Sequence, residues 1–338
     1  MASRRIRVEW IARMIVLVLV LGLSSMAFAS RWLNRSRGID VHARMPESGG
    51  WSPDVLNVDV GESLILRMIS DDVVHGFAVG QSSQPPIDVM PGKVAEVSLT
   101  FDNPGTYTFY CTRWCGPNHW RMRGTIEVNG ALEIPGTTDP PLYLTLGIDL
   151  DSPHEVPVDL VRRPSAKRSA ALDFDIPEDY LTRDYYLSHS PYEAWRDLRN
   201  ESSISQFTDG DIWDLVAWLW ASNTTSEALS TGEELYAQNC AACHGETGNG
   251  NGVFARLVED DTPADSSSPD FGHEIVAPTD FTDPPQMMGA TPALLHGKIL
   301  RGGMGTGMPS WGQIFTEDQI WAIVDYLWTF QFQMEVKL

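Results

Sequence analysis

The stretch from Cys111 to Met122 constrains the fold more than any other part of the sequence. It reads Cys111-Thr-Arg-Trp-Cys115-Gly-Pro-Asn-His119-Trp-Arg-Met122, so two thiols, an imidazole and a thioether fall close together. Such soft ligands favour copper over magnesium, calcium or manganese. All four side chains must turn inward over a short distance, which a loop between two strands of a β-sandwich allows. His75, far upstream, is a candidate fifth ligand.

Two other interpretations of the cysteines stay open at this point. Exported chains form disulfides, and two Cys with two His can hold structural zinc. Neither explains the thioether of Met122. A single Cys with two His and an axial Met would predict a mononuclear copper site. The second cysteine instead lets two thiolates bridge a pair of copper ions.

The pattern resembles the binuclear copper A site of subunit II of haem-copper respiratory oxidases, with His75, Cys111, Cys115, His119 and Met122 in the matching places. The resemblance implies a cupredoxin fold, and it extends to two further segments. These are Gln84-Pro-Pro-Ile-Asp-Val-Met-Pro-Gly92 and the ending Met122-Arg-Gly-Thr-Ile-Glu-Val128, which is similar to the one-span, B-type branch.

Arg113 departs from the commoner pattern of that family, in which a glutamate stands between the two cysteines. The family's residue offers its carbonyl to copper and its carboxylate to magnesium at the subunit I interface. Any residue supplies a carbonyl, so the resemblance still implies Arg113 as a copper ligand through its backbone. A guanidinium has no acceptor atom, so we do not expect the magnesium link here.

Residues 39–132 are predicted to form the β-sandwich. Apolar side chains alternate with polar ones in short runs, for example at Val97, Leu99 and Phe101, and Gly, Pro and Asn separate the runs. Short strands with that punctuation are typical of a sandwich.

Residues 1–38 are predicted to be a single transmembrane signal-anchor. The apolar run from Trp10 to Ala29 has about the length that spans a bilayer, although Arg13 lies inside it. Ala27-Phe-Ala29 also resembles a signal-peptidase site, so cleavage is the alternative. Both interpretations export the rest of the chain, and we expect the soluble domains on the outer, periplasmic face of the cytoplasmic membrane.

The charge of the chain argues against a nucleic-acid partner. The formal net charge is −21, and residues 1–37 hold seven Arg and one Glu. The remainder therefore carries 17 basic against 44 acidic residues, or −27. This charge opposes nucleic-acid binding and favours a basic protein partner.

A second redox motif, Cys240-Ala-Ala-Cys243-His244, is the attachment sequence of a c-type haem. Two thiols add to the haem, and the adjacent His is its proximal ligand. With Gly303-Met-Gly-Thr-Gly-Met308-Pro downstream and a helix over 316–330, residues 225–338 resemble class I cytochrome c. That resemblance implies Met308 as distal ligand, and Met304 is the alternative. We take His296 as a residue of the surface or the haem edge.

An internal repeat lies upstream of this domain. Phe207-Thr-Asp-Gly-Asp-Ile-Trp-Asp-Leu-Val-Ala-Trp-Leu-Trp220 matches Phe315-Thr-Glu-Asp-Gln-Ile-Trp-Ala-Ile-Val-Asp-Tyr-Leu-Trp328. Both copies place Thr as helix N-cap and apolar residues at helical spacing. Residues 133–224 are therefore predicted to be a linker with a haem-free, cytochrome-like segment. The alternative is two amphipathic helices that share only a start signal.

Together these features predict three parts: a transmembrane helix, an all-β cupredoxin sandwich and an all-α cytochrome c domain. The resemblance implies subunit II of an oxygen-reducing haem-copper oxidase, a non-catalytic electron-transfer subunit. It implies binuclear copper, covalent haem c, a membrane subunit I partner and a one-electron donor such as a cytochrome. The alternatives are the equivalent subunit of a nitric oxide reductase and a stand-alone exported electron carrier.

Overall fold

The computed structural model describes residues 38–130 except 117, 140–255 except 205, 277–303 and 308–334, together with residues 10 and 14. Nine strands form its first part. They are β1 Ile39–Ala43, β2 Trp51–Ser52, β3 Val55–Asp59, β4 Leu64–Ser70, β5 His75–Val79, β6 Ile87–Val89, β7 Val94–Leu99, β8 Gly105–Tyr110 and β9 Arg123–Asn129.

The strands form a sandwich of two sheets. One sheet has the order β2-β1-β4-β7 and the other β3-β9-β8-β5-β6. β1 runs parallel to β4 and β3 parallel to β9, whereas the other pairs are antiparallel. Side chains alternate between the core and the outer face along β4, where Leu64, Leu66 and Met68 are buried. This alternation is the period-two pattern of a half-buried strand. The β-sandwich expected from the sequence is confirmed.

Helices form the second part of the chain. They are α1 Leu142–Thr145, α2 Ala166–Ser169, α3 Arg183–Ser188, α4 Pro191–Asn200, α5 Asp209–Ser222, α6 Ser226–Asn239, α7 Ala241–His244, α8 Pro284–Met288, α9 Pro292–Arg301 and α10 Glu317–Leu327. Short 3₁₀ turns cover Pro46–Ser48, His119–Arg121, Glu178–Leu181 and Trp328–Phe330.

Helices α6 and α10 cross at Gly232. A Cβ atom at this position would lie 2.0 Å from the carbonyl oxygen of Ala322 and 2.8 Å from Cβ of Tyr326. Only glycine therefore allows the two backbones to approach this closely. The crossing holds the first and last helices of the cytochrome-like part together.

The two copies of the repeat start in the same way. Thr208 caps α5 and Thr316 caps α10, each in a capping box with the residue three positions on. The last residues of the two copies, Trp220 and Trp328, contact each other with ring centroids 5.9 Å apart. The repeated sequences thus form paired helices in one helical core.

Helix α6 begins at Ser226 with Thr225 as its N-cap, and the helix leads directly to Cys240. The run from Arg162 to Arg168 lies in the segment predicted to contain a linker. Both arginines bind the buried carboxylate of Asp214, which also accepts the Ser165 N–H. Because Asp214 belongs to α5, these arginines fix the position of that helix.

The predicted anchor, residues 1–38, lies almost wholly outside the described residues. Among the helices that are described, we found none with the length and apolar character needed to cross a membrane.

Candidate metal centre and haem site

Three segments of the sandwich deliver the candidate copper ligands to one place. His75 begins β5, Cys111 follows β8 and Met122 precedes β9. The loop between β8 and β9 carries Cys115 and His119, the latter in a 3₁₀ turn. Asn118 starts this turn with a φ of 56°, a left-handed conformation that asparagine tolerates. The turn brings His119 back towards the cysteines.

Each candidate ligand atom lies within 4 Å of at least one other, in a chain that runs from His75 to Cys111, Cys115 and then to His119 and Met122. Sγ of Cys111 is 3.9 Å from Sγ of Cys115 and 3.9 Å from Nδ1 of His75. Sγ of Cys115 is 3.5 Å from Nδ1 of His119 and 3.7 Å from Sδ of Met122. A disulfide would need a sulfur separation of about 2.05 Å, so the cysteines are not bonded to each other. The five atoms form a compact, soft donor set that fits copper.

The loop ends are fixed by one carbonyl. The oxygen of Met122 accepts hydrogen bonds from the N–H of Cys111 at 3.1 Å and from Nε1 of buried Trp51 at 3.1 Å. The Met122 side chain is itself buried. Both ends of the ligand loop are therefore held by the core, which pre-organises the site.

Asp72 orients His75. Its Oδ1 lies 2.7 Å from Nε2 of the His75 ring, so Nε2–H donates to the carboxylate. Nδ1, the other ring nitrogen, then faces Sγ of Cys111 as a free lone pair. Such outer partners fix the tautomer of a metal-binding histidine and raise its basicity. Sequence reasoning missed Asp72, because its position three residues before His75 was the only sign of its role.

The two thiols differ strongly in acidity. A hydrogen bond from Cys115 is the largest cause that lowers the pKa of Cys111 to about 3, and bonds from His119, His75 and the Gly76 N–H lower it further. The neighbouring Cys111 raises the pKa of Cys115, and burial adds to this. Cys111 is therefore the thiol of the pair that loses its proton more readily. A bound cation would replace that proton, because metals bind thiolates.

Arg113 presents its backbone and its side chain in different directions. Its carbonyl oxygen lies 3.2 Å from Sγ of Cys111, at the donor set. Its guanidinium points away and forms a two-pronged ion pair with Asp88, with Nε–Oδ1 at 2.8 Å and Nη2–Oδ2 at 3.1 Å. The carbonyl could therefore bind copper, whereas the side chain is occupied by a carboxylate.

The haem motif lies at the end of α6 and along α7. Nδ1 of His244 donates to the carbonyl oxygen of Thr279 at 3.1 Å, which leaves Nε2 as the free ligand atom. The ring also stacks on Phe281 with centroids 4.6 Å apart. Burial lowers the pKa of His244 and raises the pKa of Cys240 to about 12 and of Cys243 to about 11. A neutral imidazole and two protonated thiols suit haem attachment better than a thiolate metal site.

Met308 lies on a separate segment, after α9. It is half-buried against the helical core, and its carbonyl accepts the N–H of Gly303 at 3.1 Å. Gly302 ends α9 with a φ of 78°. The alternative ligand, Met304, lies outside the described residues.

The prediction that His296 lies at the surface is wrong, and its place at the haem edge stays a prediction. Its side chain is buried, stacks on Trp321 at 4.3 Å and places Nε2 3.0 Å from a carboxylate oxygen of Glu317. A lone histidine in an apolar helix gives no sequence signal for this packing.

The chain matches two families over separate ranges. Residues 51–129 match the periplasmic domain of cytochrome c oxidase subunit II, and residues 227–327 match subunit III of cbb3-type cytochrome c oxidase. Within this one chain, a region similar to the periplasmic domain of cytochrome c oxidase subunit II is therefore followed by a region similar to a cytochrome c domain. The subunit II domain implies copper A, and the cytochrome c domain implies haem.

Curated relatives match this chain over only part of its length. A cytochrome c oxidase subunit 2 of Thermus thermophilus is 38% identical over 79 residues, which are 23% of this chain and 58% of the relative. A second one, from a particular strain of the same species, is 38% identical over 23% of this chain and 46% of the relative. The chain thus spans about half the length of these curated relatives. A chain of a heme-copper terminal oxidase dimer is 22% identical, over 36% of this chain and 99% of that chain, with a TM-score of 0.25.

Proposed function

We propose that this protein is subunit II of a haem-copper terminal oxidase, the non-catalytic subunit through which electrons reach the catalytic one. The observation that carries the proposal is the meeting of five soft ligand atoms in one subunit II domain whose chain continues into a haem-binding domain. A copper pair would supply a one-electron relay with little change in ligand positions. A haem with Met/His ligands would supply a one-electron carrier of high potential.

Two separate sets of residues would hold the copper pair and the haem. His75, Cys111, Cys115, His119, Met122 and the carbonyl of Arg113 would hold a binuclear copper centre. Cys240 and Cys243 would bind haem c covalently, with His244 and Met308 as its axial ligands. The bonds of Asp72 to His75 and of Thr279 to His244 orient the two imidazoles before either group binds.

The partners follow from the same assignment. A membrane subunit I would receive the electron, and a basic one-electron donor protein would complement the strongly acidic chain. Residues 1–38 would anchor the chain in the cytoplasmic membrane as a single span, with residues 39–132 and 225–338 on the periplasmic face. Because the side chain of Arg113 has no acceptor atom and pairs with Asp88, we expect no magnesium link to subunit I through this residue.

Metal analysis of the purified chain tests this proposal. We expect two copper ions and one covalent haem per chain. In Cys115→Ser, the mixed-valence copper signal should be lost while the haem stays attached, because the two sites share no residue. One copper ion, or zinc, in the parent chain would contradict the binuclear assignment.

Assaying the co-purifying membrane subunit with oxygen and with nitric oxide separates an oxidase from a nitric oxide reductase. Isolation of a cleaved chain without any such subunit would support the stand-alone carrier.

We also propose that residues 133–224 include a haem-free copy of the cytochrome fold. A second pair of matched helices supports this, because α4 and α9 both begin with a capping Ser or Thr followed by Pro. Trp195 in α4 stacks on Trp213 in α5 at 5.6 Å, just as His296 in α9 stacks on Trp321 in α10 at 4.3 Å. A shared start signal alone would not produce the same stacked pair. One haem per chain, lost completely in Cys240→Ser with Cys243→Ser, is the expected stoichiometry.

A further inference from the structure

A methionine that the proposed function does not use lies against the copper-ligand loop, residues 111–122. Met45 comes just after β1, and its side chain is half-buried. Gly116, which directly follows Cys115, has a φ of 140°, and a Cβ atom there would lie 3.1 Å from Sδ of Met45. Glycine therefore leaves the space in which this thioether contacts the loop, at the residue next to a candidate copper ligand.

The backbone of Met45 is held by hydrogen bonds on both sides of this side chain. Its N–H donates to Oδ2 of Asp72 at 2.7 Å, and Oδ1 of the same carboxylate accepts from Nε2 of His75. Its carbonyl oxygen accepts the N–H of Ser48 at 2.8 Å and the N–H of Gly50 at 3.3 Å. A tight turn, residues 45–50, therefore presents the thioether to the loop, and one carboxylate links that turn to a candidate copper ligand.

A cavity of about 350 Å³ opens between the 45–50 turn and the ligand loop. Its lining residues include Pro46, Glu47 and Trp51 from the first segment and Asn118 and Met122 from the second. Nδ2 of Asn118 donates to a carboxylate oxygen of Glu47 at 3.1 Å, which ties the two segments together. A small ion can therefore reach the loop beside Met122 from the side on which the 45–50 turn lies.

A thioether in this place suits one kind of ion in particular. Thiolate and thioether ligands select Cu(I), whereas carboxylate and water ligands suit magnesium, calcium or manganese. The thioether of Met45 is neutral and has no proton to displace. The cysteines bind metal as thiolates, which hold a cation more firmly. An ion can therefore bind Met45 first and then move on to Cys115 and Cys111.

We propose that Met45 is an entry ligand for copper, which binds Cu(I) transiently next to the ligand loop and passes it to the cysteine pair. Copper remains Cu(I) in this step, no electron is transferred, and each thiol that binds as a thiolate releases its proton to solvent. This inference rests on the proposed function and adds to it the side from which the metal arrives. Because Met45 is not part of the finished centre, it sets the rate of copper loading and leaves the final copper content unchanged.

The first test compares Met45→Leu with the matched control Met90→Leu. Met90 is a second thioether at the same end of the sandwich, because it directly follows Val89, which pairs with His75. It is 41% exposed, and its Sδ lies 3.9 Å from Nζ of Lys93. Leucine keeps the apolar volume of methionine and removes only the sulfur, so both variants preserve the packing.

The full chain, with haem attached and no copper, is mixed anaerobically with Cu(I) held by glutathione. Copper bound to the chain is then measured at intervals after desalting. Met45→Leu should load about tenfold more slowly than the parent, at the lower end of what losing a residue that supports a metal site costs. Its final copper content should equal that of the parent, and Met90→Leu should match the parent in both rate and content.

Parent-like loading in Met45→Leu would overturn the proposal, and so would equal slowing in the two variants. A lower final copper content in Met45→Leu would also overturn it, because Met45 would then support the finished centre. In each of these cases the parent still binds its copper, and the proposed function stands. A parent chain that binds no copper would instead refute the proposed function.

A second measurement leaves Met45 in place and therefore decides the question even if Met45→Leu fails to fold. The double variant Cys111→Ser with Cys115→Ser lacks the thiolates that would take the ion from Met45. With the haem reduced and the methionine methyl groups isotopically labelled, added Cu(I) should shift the NMR signal of the Met45 methyl group. The signal of Met90 should stay in place. A Met45 signal that does not move would overturn the proposal.

Discussion

Asp325 offers the sharpest quantitative test of the helical packing. It lies in α10, only 5% exposed, and its Oδ1 accepts the hydroxyl of Tyr186 in α3 at 3.2 Å. Burial raises the pKa of Asp325 to about 6, from an ordinary value of 3.8, while Thr224, Arg183 and Tyr186 oppose the rise. The folded protein therefore binds this proton more tightly than the unfolded chain does.

The sign of the pH dependence follows from that difference. A group with a raised folded-state pKa contributes stability that is fully present below the unfolded pKa and is lost as pH rises through the folded pKa. A shift of about 2.2 pH units corresponds to about 3 kcal/mol in total. Between about pH 4.5 and pH 7.5, the part that is lost is about 2 kcal/mol, because some titration has already occurred at the lower pH.

The variant Asp325→Asn removes the titration and keeps an acceptor for Tyr186. Its free energy of unfolding, relative to the parent, should therefore rise by about 2 kcal/mol from pH 4.5 to pH 7.5. Urea unfolding of the full chain, followed by the haem absorption band, measures this for the helical part. Asp318→Asn, on an exposed position of the same helix, is the control. A parent and an Asp325→Asn variant with parallel pH profiles would refute the reasoning.

Three further outcomes are expected. Asp72→Ala should weaken copper binding about 10- to 100-fold in equilibrium dialysis, because His75 loses the carboxylate that orients it, whereas Asp71→Ala should bind as the parent does. Met308→His should keep the covalent haem but lower its midpoint potential in a redox titration, since a neutral thioether favours the ferrous state; an unchanged potential would remove Met308 from the haem. Asp214→Ala should cost about 3 kcal/mol in urea unfolding, because it leaves two arginines and a backbone N–H without their carboxylate; a cost near zero would mean that this cluster does not anchor α5.

The sandwich and the ligand loop were predictable because both depend on local patterns. Alternating apolar residues indicated strands, and the four soft side chains between Cys111 and Met122 indicated one loop. His75 could be predicted as a ligand because the family resemblance assigns a ligand to its position. The roles of Asp72 and Trp51 could not be predicted, since they depend on which atoms of the folded chain face His75 and the Met122 carbonyl. No spacing in the sequence encodes that proximity.

The helical part was harder to predict for a different reason. Capping boxes at Thr208 and Thr316 are local signals, and both helices begin as they indicated. The basic run around Arg168 has the composition of a solvated linker, yet its arginines bind the distant, buried carboxylate of Asp214. The contact of Phe254 with Trp114 of the ligand loop joins two domains, which composition and periodicity do not address.

The 3.9 Å separation of the Cys111 and Cys115 sulfurs also bears on how the protein is assembled. Oxidation to a disulfide would shorten that distance by roughly 1.9 Å, and the hydrogen bonds to Cys111 lower the pKa of its thiol and so favour the reactive thiolate. If the pair holds copper as proposed, copper and oxidants would compete for it from the moment the loop folds. The metal-free chain would then have to stay reduced until copper arrives, and the yield of copper-loaded protein would depend on which reaction is faster.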